Sequence, residues 1–260
     1  MAKQKRNAAP ARKTRAVASL SIDGIPFPLP RVTGAARSRA ERLLGALTKT
    51  YPDAHCELNY SKPHELLIAT ILSAQSTDVG VNKATPALFA KFPTPADYAR
   101  ATPAQIEPYV RSLGFFRNKS KAVHLAMKAV VEQFGGDVPR TMTDLLSLHG
   151  VARKTANVVL GNAFGVNDGV VVDTHVERLS VRMGLVSRGT TVQMIERSLM
   201  ALFPRERWCD ISHLLIFHGR RACKARGARC SDHPICTEFG IGCENRAVKS
   251  TAKKRPTSPT

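Results

Sequence analysis

Four cysteines near the carboxyl end of the chain have the clearest capacity for chemistry. Intervals of six, five and six residues separate Cys223, Cys230, Cys236 and Cys243. Four thiolates can hold either tetrahedral zinc or a [4Fe–4S] cluster. Zinc sites usually contain ligands separated by about two to four residues, and no cysteine pair here is that close, so the spacing disfavours zinc. The pattern predicts a metal centre.

A second segment has the residue types of a phosphate-binding turn. An apolar helix is predicted to end at Leu148, and another helix begins directly after a tight turn. Glycine in the turn lets the backbone approach a phosphate, and the N–H groups at the start of a helix favour an anion. The segment predicts a contact with a nucleic acid backbone, although the turn alone favours an ordinary helical hairpin. The predicted contact residues are His149, Gly150, Val151, Ala152 and Arg153.

An aspartate lies at the predicted start of a further helix. Asp173 follows the short apolar run Val170–Val172 and precedes Thr174. A carboxylate in this position most often caps the helix by accepting backbone hydrogen bonds. Taken alone, Asp173 is therefore interpreted as a cap. The segment 169–172 is the only one that looks strand-like, and it is too short to make a sheet.

Helices must position these residues. Apolar side chains recur every three or four residues, which is the spacing of one helix face. Thr143 is expected to cap a helix that contains Leu145, Leu146 and Leu148. The fold class is therefore predicted to be all-α. The other predicted helices cover residues 34–50, 63–74, 103–113, 118–134, 154–164 and 192–203.

Composition restricts the function classes. The 260 residues include 39 Lys and Arg against 20 Asp and Glu, a formal net charge of +19, and 43% are hydrophobic. Such a chain can bury a core, and its charge favours a polyanion such as nucleic acid. No apolar stretch is long enough to span a membrane, and we expect no secretory signal peptide. Residues 1–32 are predicted to be a disordered basic arm and linker, and residues 246–260 a disordered basic tail.

Several long motifs together resemble one known family. The segment LSLHGVARKTANVV followed by VVDTHVERL is similar to the helix-hairpin-helix and Gly/Pro-Asp loop of the endonuclease III family of DNA glycosylases. The similarity extends from about Glu57 to Cys243 and includes SAQSTDVGVNKAT, SLGFFRNKSKA and LIFHGRRACKARGARC. The resemblance implies base excision of oxidised pyrimidines, coupled to strand cleavage at the abasic site. The hairpin departs from the family pattern, because His149 and Ala152 replace its proline and second glycine.

The resemblance assigns the catalytic pair. It implies that Lys154 is the nucleophile, which attacks C1′ of the damaged nucleotide, displaces the base and forms a Schiff base. Asp173 would stabilise the positive charge that develops on the sugar and help to move protons. Adenine-excising relatives lack this lysine, so Lys154 favours a bifunctional enzyme that also cleaves the strand.

Further DNA contacts follow from the same resemblance. Gln75 and Phe115 match positions that enter the duplex beside the flipped nucleotide. Most relatives have a smaller aliphatic residue where Phe115 stands, and either Phe115 or Phe116 could be the exposed aromatic residue. Asp78 is interpreted as a local cap or hydrogen-bond partner. Phosphate contacts are expected from Lys119, Lys224, Arg226 and Arg229.

The cysteine spacing departs from the family pattern. The family binds a [4Fe–4S] cluster through cysteines with six, two and five intervening residues, and here only the first interval matches. His233 stands where the third cysteine would fall, so Cys223, Cys230, His233 and Cys236 are an alternative ligand set. We favour four cysteines as ligands. The cluster would fix the loop that carries Lys224, Arg226 and Arg229.

We expect two helical lobes with a DNA groove between them. A six-helix lobe with the hairpin would cover residues 57–165, and an iron–sulfur lobe would combine residues 33–56 with 166–245. The expected partner is double-stranded DNA with oxidised pyrimidines or abasic sites, bound by a monomer. The expected location is the bacterial cytoplasm or nucleoid, with an organelle or a nucleus as the alternative. The alternatives are a monofunctional glycosylase for mismatched or alkylated bases and a non-catalytic iron–sulfur DNA-binding protein.

Overall fold

The computed structural model describes residues 24–228 and 230–241, so Arg229 and Cys243 lie outside the described residues. The predicted tail and most of the predicted arm also lie outside them. The described residues are helical and contain no strand, which confirms the all-α prediction. None of their helices is both long and apolar enough to cross a membrane. The α-helices are α1 (Gly34–Thr50), α2 (Pro63–Leu72), α3 (Asp78–Lys91), α4 (Pro95–Arg100), α5 (Pro103–Val110), α6 (Phe116–Phe134), α7 (Met142–Ser147), α8 (Arg153–Phe164), α9 (Thr174–Arg182), α10 (Val192–Leu202), α11 (Trp208–Arg221) and α12 (Pro234–Phe239).

Threonine caps and N-terminal prolines set many helix starts. Proline is the first residue of α2, α4 and α5, where a missing N–H costs nothing. The cap of α7 differs from the prediction, because Thr141 and not Thr143 accepts the Asp144 N–H at 3.2 Å. Helix α3 is missing from the sequence prediction, and the structure accommodates Pro86 inside it.

The buried apolar side chains form two separate clusters. One cluster runs from Leu58 to Leu160 and is built by α2 to α8. We call this part the hairpin lobe. The other cluster combines residues 25–51 with residues 170–239, and we call it the thiol lobe because its core includes three cysteines. Seven α-helices lie within residues 57–165, two of which are only six residues long.

One helix joins the two lobes, and the amino-terminal segment completes the thiol lobe. Helix α1, the first helix among the described residues, packs against α10, α11 and α12 of that lobe. Helix α11 packs against α9 in its own lobe and against α8 of the hairpin lobe. The segment before α1, predicted as a free linker, is also packed, with Ile25 and Leu29 buried in the thiol-lobe core. The chain therefore leaves a cleft between the lobes, beside the start of α8.

Candidate active site

Two adjoining cavities lie between the lobes, with volumes of about 100 Å³ and about 730 Å³. Lys154 comes from the hairpin lobe and Asp173 from the thiol-lobe side, and both side chains line both cavities. The structure thus brings one predicted catalytic residue from each lobe to the same cleft. The residues that the two cavities share are Glu57, Ser73, Asp78, Lys154, Asp173 and Arg220.

Lys154 is the second residue of α8 and is exposed to solvent. Ala152 stands at the N-cap of this helix, and no side chain caps it. The first N–H groups of a helix have no intrahelical partner, so the positive end of α8 faces outward beside the lysine. Such a helix end can bind a phosphate next to the amine.

Asp173 is both a helix cap and a cavity residue. Its Oδ1 atom accepts hydrogen bonds from the backbone N–H groups of His175 and Val176, each at 2.8 Å. These bonds fix the carboxylate at the start of α9 and orient it toward the cavity. The interpretation as a cap and the one as a site residue are therefore compatible.

A second carboxylate faces the pair. Burial raises the pKa of Asp78, the nearby Asp173 carboxylate raises it further, and the Lys154 ammonium opposes both effects. Arg220 of α11 pairs with Asp78 at 2.7 Å and also with Glu57. Burial lowers the pKa of the Arg220 guanidinium. These three residues link the two lobes across the cleft.

Sequence reasoning missed Glu57 and Arg220 and gave Asp78 only a local role. Asp78 lies in the SAQSTD motif and Arg220 in LIFHGRR, both of which belong to the segments that carry the family resemblance. The presence of Asp78 and Arg220 inside these motifs could have indicated that they are site residues. Their meeting point could not be read from the motifs alone, because more than a hundred residues separate them.

The hairpin turn is held by packing on its protein side. Gly150 has a φ of 78°, and a Cβ built there would lie 3.1 Å from Ala122 Cβ. Val151 is buried in the hairpin-lobe core, and its N–H donates to the Leu148 carbonyl at 3.2 Å. His149, Gly150 and Ala152 are the exposed residues of the turn. The positive φ and the close packing against Ala122 therefore explain why position 150 requires glycine.

Arg153 is turned inward, although the sequence predicted a DNA contact there. Its Nε atom donates to Glu196 Oε1 at 2.9 Å, and its Nη2 atom donates to the Asp168 carbonyl at 3.0 Å. The guanidinium also lies 4.9 Å from the centre of the Phe27 ring. Glu196 is buried and needs a cation, so it holds this arginine inside the protein.

Gln75 and Phe115 lie together on the surface. Phe115 is 63% exposed, whereas Phe116 packs against the hairpin-lobe core, so the structure selects Phe115 as the outer aromatic residue. A Cβ built on Gly114 would lie 4.0 Å from the Gln75 carbonyl oxygen. Lys119, predicted as a phosphate contact, is instead 5% exposed, and its Nζ donates to Ser76 Oγ at 2.7 Å.

Three predicted metal ligands meet in the core of the thiol lobe. Cys223, Cys230 and Cys236 are buried and form no disulfide. The ligand atoms of Cys223, Cys236 and His218 lie within 4.8 Å of one another, and Cys223 is within hydrogen-bond reach of both other thiols. A hydrogen bond from Cys236 and the neighbouring Arg182 guanidinium lower the pKa of the Cys223 thiol to about 5. This donor set fits a group that binds thiolates.

His233 lies beside this group and not within it. Its Nε2 atom is 3.4 Å from the Tyr51 hydroxyl, and its ring stands 4.8 Å from that of His218. His218 Nε2 in turn lies 3.2 Å from Cys236 Sγ. Both predicted ligand sets include Cys236, and among the described residues His233 contacts Tyr51 and His218 and not a thiol.

Two arginines that sequence reasoning missed fix the loop after Cys223. Arg182 donates to the Lys224 carbonyl at 2.7 Å, and Arg178 donates to the Cys223 carbonyl at 3.1 Å. The side chains of Lys224 and Arg226 are exposed on this loop. The backbone is thus held from inside while the cations face solvent.

Known proteins share this sequence and architecture. Residues 68–205 match the family described as HhH-GPD superfamily base excision DNA repair protein. The chain is 50% identical to endonuclease III of Synechocystis sp. over 78% of its own length and 92% of that protein. It is 43% identical to endonuclease III of Bacillus subtilis over 82% of its length and 97% of that protein.

A solved structure gives the same result. A trapped endonuclease III–DNA covalent intermediate superposes with a TM-score of 0.75 at 41% identity, covering 81% of this chain and 96% of that one. The similarity in sequence covers nearly the whole of each relative, and it includes both lobes. The chain therefore belongs to the endonuclease III family of base excision repair enzymes, the DNA glycosylases and abasic-site lyases of the helix-hairpin-helix-GPD superfamily.

Proposed function

We propose that this enzyme removes oxidised pyrimidines from double-stranded DNA and cleaves the abasic site through a Schiff base on Lys154. The observation that carries the proposal is the position of Lys154 and Asp173 in one cleft between the lobes. The larger cavity, of about 730 Å³, has room for a nucleotide turned out of the duplex. A related endonuclease III has been trapped as a covalent intermediate with DNA, which supports a covalent mechanism here.

The chemistry needs a neutral amine and a fixed carboxylate. The Lys154 amine attacks C1′ and the base leaves, so the C–N bond to the amine replaces the glycosidic bond. Ring opening gives the protonated imine, and loss of a C2′ proton expels the 3′ phosphate. Asp173 is held by two backbone N–H groups, so it stabilises the positive charge on the sugar without reorganising.

Surfaces on both lobes support binding of the DNA backbone. The uncapped start of α8 offers N–H groups to a phosphate, and the hairpin presents His149 and Ala152 on the outside. Lys224 and Arg226 are exposed on the loop after Cys223, and we assign Arg229 to the same phosphate-binding role. Gln75 and Phe115 would enter the gap that the extruded nucleotide leaves.

We assign a [4Fe–4S] cluster to Cys223, Cys230, Cys236 and Cys243. Three of these thiols face one another in the described structure, which supports the assignment. When bound, the cluster supplies a cross-link within the thiol lobe. Arg182, which donates to Cys223 Sγ at 3.2 Å, would stabilise the negative charge of the thiolates. We also propose that the enzyme acts as a monomer and that it is located in the bacterial cytoplasm or nucleoid; the bacterial origin of the relatives supports the location.

Borohydride trapping tests the nucleophile. Wild type, Lys154→Ala and Lys49→Ala would be incubated with duplex DNA that contains one abasic site or one oxidised pyrimidine. Lys49 is an exposed lysine near the end of α1 and serves as the matched control. We expect a covalent adduct with wild type and Lys49→Ala and none with Lys154→Ala.

Two results would contradict the proposal. The first is a wild-type sample that carries an iron–sulfur cluster and binds DNA but gives no adduct. The protein would then either release bases without cleaving the strand or only bind DNA. An undiminished adduct with Lys154→Ala would assign the nucleophile to another amine.

A further inference from the structure

Two surface residues adopt a backbone conformation that ordinary residues avoid. Gln75 has a φ of 54° and Phe115 a φ of 58°, and no other non-glycine residue within the described ranges has a positive φ. The left-handed region costs an L-residue free energy, so such residues persist only where their surroundings hold them. Both occur at one surface site, which indicates that the site is built and not accidental.

The two residues come from different elements and meet in space. Gln75 follows the end of α2, whereas Phe115 is the N-cap of α6. A Cβ built on Gly114, just before Phe115, would lie 4.0 Å from the Gln75 carbonyl oxygen, so the two segments are in ordinary van der Waals contact. Both side chains are exposed. Something beneath the surface must therefore fix the spacing of the two loops.

Lys119 is the side chain that connects them. Its backbone N–H donates to the Phe115 carbonyl at 3.0 Å, so it lies one helical turn below Phe115. Its Nζ donates to Ser76 Oγ at 2.7 Å, directly after Gln75. Lys119 thus hydrogen-bonds to Phe115 and to Ser76, the residue that follows Gln75.

The burial of this amine indicates more than packing. Lys119 is 5% exposed, and no carboxylate among the described residues pairs with it. Burial of an unpaired ammonium is costly, and an aliphatic side chain would fill the same space at lower cost. The hydrogen bond from Lys119 to Ser76 therefore explains why a lysine stands at this buried position.

We propose that Lys119 is a positioning residue that holds Gln75 and Phe115 as a preformed pair for insertion into duplex DNA. This inference rests on the proposed function and adds to it how the enzyme extrudes a nucleotide. A fixed pair enters the gap without first losing the conformational freedom of two loops. Only a stacked and paired nucleotide needs this help, so the role of Lys119 depends on the structure of the substrate.

The test compares a paired with an unpaired lesion. Iron–sulfur-loaded full-length Lys119→Met would be assayed in single turnover on an oxidised pyrimidine in a perfect duplex and on the same lesion in an unpaired bulge. Lys121→Met, an exposed lysine two residues further along α6, is the matched control. We expect Lys119→Met to lose at least about 10-fold on the duplex and less than about 2-fold on the bulge, with Lys121→Met unchanged on both.

Further variants separate positioning from damage to the fold. Ser76→Ala should show the same selective loss to a smaller extent and add nothing to Lys119→Met, because both remove one bond. Lys119→Arg keeps a donor and a charge and should restore part of the duplex activity. An equal loss on both substrates, or no loss on the duplex, would overturn the inference.

Trapping distinguishes this inference from the proposed function. Lys119→Met should still form the borohydride adduct with an abasic site in a single strand at the wild-type level. Normal trapping together with unchanged duplex excision would overturn only the role of Lys119. Failure of wild type to trap would overturn the proposed function instead.

Discussion

The two lobes are stabilised in different ways. The apolar core of the hairpin lobe, from Leu58 to Leu160, contains no buried cysteine, although Lys119 and a few other polar side chains are buried beside it. The core of the thiol lobe includes three free cysteines, and the loop after Cys223 is held by arginine side chains that donate to its carbonyls. Hydrophobic burial stabilises both lobes. The thiols of the thiol lobe also fit a bound group, and on the proposal that a cluster is held there, removal of one thiolate should affect the thiol lobe more than the hairpin lobe.

The active site depends on both lobes. Lys154 belongs to a helix of the hairpin lobe, and Asp173 caps a helix of the thiol lobe. The Arg220 ion pairs with Asp78 and Glu57 cross the cleft between the lobes. A change confined to one lobe can therefore reach the chemistry in two ways, by removing a reacting group or by loosening the lobe that carries it.

The largest effect is expected from Asp173→Asn, which tests the thiol-lobe half of the pair. Asparagine is also a good N-cap, so the free energy of unfolding should change by less than about 1 kcal/mol. Loss of the charge should reduce single-turnover base excision by about 10²–10⁴-fold. Excision assays and thermal unfolding measure the two effects separately.

The opposite pattern would refute the catalytic assignment. If Asp173→Asn kept wild-type excision but lost thermal stability, the aspartate would be only a helix cap. Thr191→Asn is the matched control, because Thr191 caps α10 through its side chain and lies away from the cavities. It should leave both excision and stability close to wild type.

Sequence reasoning was most successful where local patterns decide the outcome. The apolar spacing predicted α1 and α10 almost to the residue, and the resemblance identified the family before any coordinates. The sequence did not predict which way long polar side chains point. Arg153 and Lys119 looked like surface cations, but Glu196 and Ser76, both more than forty residues away, hold them inside. Such partners become neighbours only through the fold.

Removal of one thiolate tests the difference between the lobes most directly. Cys223→Ser should increase the rate of amide exchange in residues 223–241, which include α12, by roughly 100-fold. Because each tenfold corresponds to 1.4 kcal/mol, this is a loss of about 2.8 kcal/mol in local stability. Exchange in α2 and α6 of the hairpin lobe should stay at the wild-type level. Hydrogen exchange with mass spectrometry measures both regions in one sample.

Cys56→Ser is the control, because Cys56 packs against the hairpin-lobe core outside the thiol group. Equal destabilisation of both lobes by Cys223→Ser would show that they unfold as one unit. Unchanged exchange at α12 would show that the thiol lobe is stable without its bound group. Either result would remove the distinction between the lobes.

The smallest effect concerns the hairpin lobe alone and compares Gly150, in the turn before α8, with Gly165, the C-cap of α8. Gly150 has a positive φ, and a Cβ there would meet Ala122 and Ile71, at 3.1 and 3.8 Å. Gly165 has a φ of 66° but no atom within 4 Å of such a Cβ. Gly165→Ala should therefore cost only backbone strain, about 1 kcal/mol, whereas Gly150→Ala should cost about 2–3 kcal/mol because a helix must also shift. Urea unfolding measures the free energy of unfolding of both variants. Equal losses would mean that Ala122 moves aside without a measurable loss of stability, and that the hairpin lobe is less tightly packed than its apolar core indicates.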